Sequence, residues 1–146
     1  MDELLDELLI EFHPVIKEKK ANIIKRNIPT SLRGDSAKLR QVFQNLISNG
    51  LKFNRSKQTP EISITARQVE EGWVFSIQDN GIGIAKEFQE KIFLLFKRLH
   101  SSNDFDGTGI GLAMVKKIVE QHDGKIWLES KEGKGTTFYF SIGKDK

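Results

Sequence analysis

Residues 35–54, DSAKLRQVFQNLISNGLKFN, combine an apolar face and a polar face in one predicted helix. Apolar side chains recur there at the three- and four-residue spacing of an amphipathic helix, which we place at 36–53. These side chains are Leu39, Val42, Phe43, Leu46 and Ile47. Asp35 precedes the helix and is a good N-cap residue. One face therefore belongs to a core, and the opposite face needs its own explanation.

The opposite face carries a line of polar residues. They are Lys38, Gln41, Asn45, Asn49 and Lys52. A solvated face normally uses better helix formers than asparagine. Gly50 lowers the stability of the helix by about 1 kcal/mol more, relative to alanine. Amide oxygens suit Mg²⁺, and Lys52, one turn beyond Asn49, is placed to meet a phosphate. We favour a magnesium and phosphate site, with a plain solvated face as the alternative.

The remaining segments predict three further helices, a short strand and two hairpins. The helices are 2–12, 85–96 and 110–121, the strand is ANIIKRN, and the hairpins join EISITAR to WVFSIQD and KIWLES to TTFYFSI. Pro14 interrupts or restarts the first helix, and Gly124 is the expected C′ residue of the last. Hairpins with separated helices indicate an α+β fold, a two-layer α/β sandwich whose mixed sheet is covered by helices on one face.

Asp79 is a carboxylate at the end of an apolar strand face. The two-residue period of WVFSIQD puts it on the side of Trp73, Phe75 and Ile77. It either caps its own loop in an Asx-turn or accepts a hydrogen bond from a buried ligand amine. By the same parity, Thr136 begins the apolar row of the last strand. It could lie beside Asp79, or it could simply be a polar residue where the chain leaves the turn.

The stretch DGTGIGLAMVKKI, residues 106–118, places three glycines ahead of a helix. The spacing is wrong for a dinucleotide-binding turn, and the Gly-Lys-Ser/Thr of a P-loop is absent. A helix also follows where a protein-kinase glycine loop has a strand. The glycines either form a plain loop or expose helix N–H groups to an anion.

Composition excludes several classes of function. The chain has 146 residues, no cysteine and a net charge of +3, and its basic residues are interspersed with acidic ones. Disulfides and thiolate metal sites are therefore excluded, and neither nucleic-acid binding nor direct membrane contact is expected. We expect one domain over residues 1–146, in the cytoplasm.

Five motifs occur in the order and spacing of a known family. They are NLISNGLKFN, DNGIGI, IFLLFKRL, GTGIGL and GKGTTF. They resemble the N, G1, F, G2 and G3 boxes of the ATP-binding catalytic domain of sensor histidine kinases. FQNLISN and GTGIGLAMVKKIVE look most like the phytochrome-type kinases. The resemblance implies the Bergerat ATP-binding fold, which gyrase, mismatch-repair and heat-shock chaperone ATPases share.

The resemblance also implies roles for individual residues. Asn49 matches the Mg²⁺ ligand, Asn45 and Lys52 match residues near the phosphates, and Phe53 matches the aromatic position beside adenine. Asp79 would accept the adenine amino group, with Thr136 close by. The nucleotide would also contact ten further residues of these motifs. These are Gly81, Gly83, Ile84, Arg98, Gly107, Thr108, Gly109, Ile110, Gly111 and Leu112.

Phe93 and Phe96 match the F box, at the root of a lid over ATP. Gly50 stands where alanine is usual, and we expect little functional effect.

The resemblance leaves one element without a match, the phospho-accepting histidine. In the family it lies on a separate dimerising helical domain, and neither His13, His100 nor His122 has the expected surroundings. The chain is therefore expected to be a protein-histidine kinase catalytic domain with little activity alone. It would use Mg²⁺ and ATP to phosphorylate that separate domain, which in turn would serve a response regulator.

Two other functions are open at this level. A hydrolytic ATPase of the gyrase or chaperone type would resemble its family in having glutamate where this chain has Asn45, and an amide is not a general base. A module that binds nucleotide without catalysis is the third reading.

Overall fold

The structure, a computed structural model, describes residues 2–30, 34–52, 59–70, 72–84, 86–89 and 108–143. Several residues of the predicted site lie outside these ranges: Phe53, Phe93, Phe96, Arg98 and Gly107. His100 lies outside them as well, as do the side chains of Lys52, Thr108 and Ile110.

Helices and strands follow the predicted order within the described ranges. The helices are α1 (Asp2–Glu11), α2 (His13–Lys19), α3 (Ser36–Lys52), α4 (Lys86–Gln89) and α5 (Thr108–Gln121). The strands are β1 (Asn22–Arg26), β2 (Glu61–Val69), β3 (Gly72–Asp79), β4 (Ile126–Lys131) and β5 (Gly135–Gly143). Pro14 lies in the first turn of α2, as its fixed φ favours. None of the described helices has the length and apolar character needed to cross a bilayer.

The strands form one mixed sheet in the order β1-β2-β3-β5-β4. Strand β1 runs parallel to β2, and the other three pairs are antiparallel. Both predicted hairpins are present, as β2–β3 and β4–β5. The predicted mixed sheet is confirmed.

The core lies between the sheet and the helices that cover one of its faces. Phe43 of α3 meets Phe75 of β3 edge to face, with ring centroids 5.5 Å apart, and meets Phe140 of β5 at 5.3 Å. Leu5 and Leu8 of α1 are fully buried in the same cluster. All five apolar residues predicted for α3 are buried, so the predicted apolar face of this helix is confirmed.

Helices α3 and α5 are tied together at one end. The Oδ1 atom of Asp35 accepts the N–H groups of Ala37 at 3.1 Å and Lys38 at 3.2 Å, which confirms the predicted N-cap. His122, just past α5, accepts the Asp35 N–H at Nε2 over 3.1 Å. Its Nδ1 lies 2.9 Å from the Ile118 carbonyl oxygen and donates to it, because a carbonyl only accepts. This ring is therefore a structural link between the two helices.

Both ends of α5 differ from the prediction. The helix begins at Thr108 rather than at residue 110, so Gly109 and Gly111 lie inside its first turns. At the other end Asp123, with φ 58°, takes the left-handed C′ position predicted for Gly124. The Gly124 N–H bonds the Val119 carbonyl at 3.0 Å, which makes it the C″ residue of a Schellman motif. A side chain at Gly124 would overlap the Ser141 carbonyl, so close packing against β5 accounts for this glycine.

The N-cap of α3 predicts a specific stability effect. Asp35→Ala should lower the free energy of unfolding by about 1 kcal/mol, because two helix N–H groups lose their acceptor. Asp35→Asn keeps a side-chain oxygen and should remain within a few tenths of a kcal/mol of the wild type. Urea unfolding of the three proteins measures this. Equal destabilisation by both substitutions would show that charge, rather than capping, is what matters.

Candidate functional site

Asp79 ends β3 one residue beyond the Gln78–Thr137 pair and is hydrogen-bonded to Thr136 of β5, which confirms that these two residues are neighbours. The Oδ1 atom of Asp79 accepts the Gly81 N–H at 2.9 Å and the Thr136 N–H at 3.2 Å. The bond to Gly81 is the Asx-turn that was one of the two interpretations of this residue. It uses one oxygen only. Within the described residues, Oδ2 accepts no hydrogen bond.

Burial destabilises the ionised form of the Asp79 side chain. Desolvation raises the pKa of its carboxyl group from 3.8 to about 6, against the lowering effect of the hydrogen bonds from Gly81 and Thr136. At neutral pH the side chain is still mainly ionised. The fold therefore holds a negative oxygen, Oδ2, at the margin of its core with no described donor. This arrangement suits a ligand that brings its own donor.

Ser130 of β4 connects the surroundings of Asp79. Its Oγ accepts the Ile84 N–H at 2.7 Å, donates to the Gly135 carbonyl at 3.0 Å and lies 2.7 Å from the Thr136 hydroxyl. Sequence reasoning missed this residue. The available signal was parity, since Ser130 shares the inward side of KIWLES with Ile126 and Leu128 just as Thr136 heads the row in β5.

The loop after β3 packs closely against the β4–β5 turn. Gly83 has φ +77°, and a side chain there would overlap the Lys131 carbonyl. The Gly133 N–H bonds the Ile82 carbonyl at 2.7 Å. Gly83 was predicted to make room for a ligand, and the structure gives it a second reason, contact between two parts of the chain. Gln89 of α4 joins this contact by donating to the Ile84 carbonyl at 2.9 Å and the Ser130 carbonyl at 3.2 Å.

The polar line of α3 divides into two parts. Lys38 donates to the Gln121 side chain at 3.0 Å, and Gln41 donates to the sulfur of Met114. Both partners belong to α5. The first half of the line is therefore in contact with α5, although Lys38 is also exposed to solvent.

The second half of the line contains the two asparagines. The Asn45 Nδ2 donates to the Gln41 carbonyl at 2.8 Å, which leaves its Oδ1 directed away from the helix backbone. Asn49 is half-buried and its amide has no hydrogen-bond partner among the described residues. A half-buried amide without a partner is unusual in a helix interior, where asparagine already costs stability.

Gly50 brings this part of α3 against the sheet. A side-chain Cβ at Gly50 would lie 2.9 Å from Ile62 Cδ1 and 3.5 Å from Asp79 Cβ. The Asn49 end of α3 and the Asp79 end of β3 therefore meet in one region. Two features that were unrelated in the sequence therefore lie close together in the fold.

The N-terminus of α5 lies at the same end of the helix layer. The contacts of Lys38 and Gln41 make α5 antiparallel to α3, so residues 108–111 lie on the side of Asn49. The first N–H groups of a helix have no partner within it. Leu112, which was also predicted to contact the ligand, has its side chain in the hydrophobic core with 1% exposure. Only its backbone is available to a ligand.

The chain matches a known protein family over most of its length. The family is described as histidine kinase-, DNA gyrase B- and HSP90-like ATPase, and the match covers residues 34–146. The chain belongs to this family. Membership makes the sheet and its covering helices an ATP-binding domain of the histidine kinase-like ATPase type, as the sequence motifs predicted.

Two curated relatives are cyanobacterial. The chain is 49% identical over 142 residues to the phytochrome-like protein Cph1 of Synechocystis sp. and 48% identical over 142 residues to cyanobacterial phytochrome A of Nostoc sp.. Each match covers 97% of this chain, but only 19% and 18% of the respective relatives. The chain thus spans about a fifth of their length.

Solved structures of the histidine kinase-like ATPase family share this fold. The catalytic domain of the histidine kinase ThkA superposes with a TM-score of 0.81 at 31% identity, covering 99% of this chain and 92% of that domain. Another structure holds ThkA in complex with the response regulator protein TrrA. It matches with a TM-score of 0.77 at 28% identity, covering 99% of this chain and 40% of that one.

The burial of Asp79 predicts a pH-dependent effect on stability. A carboxyl pKa of about 6 in the folded chain, against 3.8 in the unfolded one, corresponds to roughly 3 kcal/mol. Because the folded-state pKa is raised, this stabilisation is present below pH 4 and is lost as the pH rises through 6. Asp79→Asn keeps the Oδ1 acceptor without the charge. It should raise the free energy of unfolding at pH 8 by about 1–3 kcal/mol.

Urea unfolding between pH 4.5 and 8 tests this prediction. The difference between Asp79→Asn and the wild type should grow from low to high pH and level off above pH 6–7. A difference that stays constant across this range would contradict the assignment of the buried charge.

Proposed function

We propose that the chain, over residues 1–146, is the catalytic and ATP-binding domain of a protein-histidine kinase. It binds Mg²⁺–ATP and transfers the γ-phosphoryl group to a histidine on a separate dimerisation domain. The observation that carries the proposal is the half-satisfied Asp79 carboxylate beside the Asn49 end of α3. The match to the ThkA catalytic domain over nearly the whole chain supports it.

Asp79 and Thr136 suit the base of the nucleotide. Because Oδ1 is already occupied by the Gly81 and Thr136 N–H groups, Oδ2 is the atom free to accept a hydrogen bond. The amino group of adenine is a donor of the right kind, and a carboxylate acceptor makes that bond stronger than a neutral one would be. Gly81 and Ile84 lie in the loop that frames this position.

Asn49 and the start of α5 suit the phosphates and their metal. Within the described ranges no three His, Cys, Asp or Glu side chains are grouped so that they could hold a metal ion. An ion held mainly by phosphates needs only one or two protein ligands, and Mg²⁺ commonly binds in this way. Asn49 would supply an amide oxygen, and Asn45 and Lys52 would lie along the phosphates. When bound, Mg²⁺ neutralises charge on the phosphates.

The chemistry asked of this chain is positioning. An in-line transfer needs aligned groups and charge neutralisation. The N–H groups at 108–111, which have no partner within α5, can bind phosphate oxygens. The transfer does not require Asn45 to act as a general base, and an amide cannot do so. His122 is engaged by Asp35 and Ile118, which makes it a poor acceptor for the phosphoryl group. We therefore assign the acceptor histidine to another domain, with a response regulator downstream and the ATP-containing cytoplasm as the compartment.

A transfer assay tests the function. The chain is incubated with Mg²⁺ and γ-labelled ATP, with and without a helical dimerisation domain that carries the family's acceptor histidine. We expect acid-labile label on that domain and little ATP hydrolysis by the chain alone. Rapid hydrolysis without label transfer would favour an ATPase. ATP binding without either activity would favour a simple binding module.

Asn49 provides a sharper test of the metal assignment. Asn49→Ala should lower the affinity for Mg²⁺–ATP about tenfold and leave the affinity for ATP measured with excess chelator nearly unchanged, because only a metal ligand is lost. Gln44→Ala is the matched control, since Gln44 lies on an exposed part of the same helix. Calorimetric titration measures both affinities. An equal loss with and without Mg²⁺ would contradict a metal-binding role for Asn49.

A further inference from the structure

Ser130 has one hydroxyl proton and three polar neighbours. The Ile84 N–H can only donate, and it lies 2.7 Å from Oγ. The Gly135 carbonyl can only accept, and it lies 3.0 Å away. The third neighbour, the Thr136 hydroxyl at 2.7 Å, can do either.

One arrangement of protons satisfies all three contacts. Ile84 donates to Ser130, Ser130 donates to the Gly135 carbonyl, and Thr136 donates to Ser130. If Ser130 donated to Thr136 instead, the Ser130 and Gly135 oxygens would face each other without a proton between them. The Thr136 proton is thus committed to Ser130, and the Thr136 Oγ1 offers only lone pairs to anything else.

We propose that Ser130 is a positioning residue that makes Thr136 an acceptor toward the nucleotide base, so that the site selects a purine with an amino group at C6. This inference rests on the proposed ATP-binding function and adds a residue that determines base specificity. Asp79 Oδ2 is the first acceptor, and Thr136 Oγ1 is the second, on the neighbouring residue whose N–H donates to Asp79 Oδ1. Ser130 itself touches no base.

Two acceptors side by side distinguish the two kinds of purine. An exocyclic amine has two N–H donors, one for each acceptor. A C6 carbonyl brings lone pairs to the same place, where neither oxygen can donate to it. Rejection of the wrong base therefore requires that the Thr136 proton stay turned away, which is the task of Ser130.

The test compares ATP with inosine triphosphate, which has a carbonyl at C6 in place of the amino group and, with it, a hydrogen on N1. The wild-type chain should prefer ATP. In Ser130→Ala the Thr136 proton is released and can turn toward the base. The ratio of the two dissociation constants should then fall about three- to tenfold, the worth of one hydrogen bond. Ser130→Thr keeps the hydroxyl and should restore the wild-type ratio.

Ser141→Ala is the matched control. The Ser141 hydroxyl, like that of Ser130, accepts a backbone N–H, which is that of Lys125, just before β4, at 2.9 Å. Ser141 lies at the opposite end of the β4–β5 pair from Ser130. The substitution should lower stability in a similar way and leave the ATP-to-inosine preference unchanged. Urea unfolding of each variant confirms that it is folded before binding is measured.

The outcomes separate this inference from the proposed function. Failure of the wild-type chain to bind ATP would overturn both. A wild-type preference for ATP that survives intact in Ser130→Ala would overturn the role of Ser130 alone, as would equal weakening of both nucleotides. Should Ser130→Ala not fold, Thr136→Val removes the second acceptor directly. An unchanged ATP preference in that variant would also overturn the inference.

Discussion

The contact between Phe43 and the sheet determines where the polar face of α3 can act. Phe43 packs edge to face on both Phe75 and Phe140, which lie stacked on neighbouring strands with centroids 5.1 Å apart. This fixes the rotation of α3, because a helix that packs its own aromatic ring against two rings of the sheet has little freedom to turn. The Asn49 side is consequently held at the margin of the core, next to the end of β3.

A second constraint acts at that margin. Asp79 keeps a charge in surroundings that disfavour it, and only one of its oxygens is satisfied within the described residues. The fold gives up stability to hold this oxygen ready, as binding sites often do. Ser130 holds the groups around this carboxylate in place. Its hydroxyl contacts Ile84 in the loop after β3, Gly135 at the start of β5, and Thr136, so these groups have one arrangement.

Much of this fold was predictable from periodicity. The faces of α3, the two hairpins and the parity of Asp79 and Thr136 all follow from repeats of 3.6 or two residues, which depend on local geometry alone. The parallel pairing of β1 with β2 has no such signal, because it depends on which edge of the sheet is left unpaired once the hairpins have formed. The start of α5 was placed too late because glycine lowers helix propensity but does not prevent a first turn.

The site was predictable in part, for a related reason. Asn45, Asn49 and Asp79 were predicted as site residues because each is an unfavourable residue for its position, and such exceptions to propensity suggest a functional role. Lys38 and Gln41 belonged to the same polar line, yet their partners are on α5, and only the packing of two helices could show this. Gly50 was expected to have little functional effect, and Gly83 was expected to let the backbone pass close to a ligand. Their closest neighbours are Ile62 and the Lys131 carbonyl, which sequence spacing does not reveal.

The link from Asp35 to His122 has a mechanical consequence. It joins the start of α3 to the end of α5, and the Lys38–Gln121 bond reinforces it. The opposite ends of these antiparallel helices carry the half-buried amides of α3 and the first N–H groups of α5, which have no partner within that helix. Leu112, near the start of α5, is buried in the core. Helix α5 is therefore held near both of its ends, which keeps its first turn on the side of Asn49.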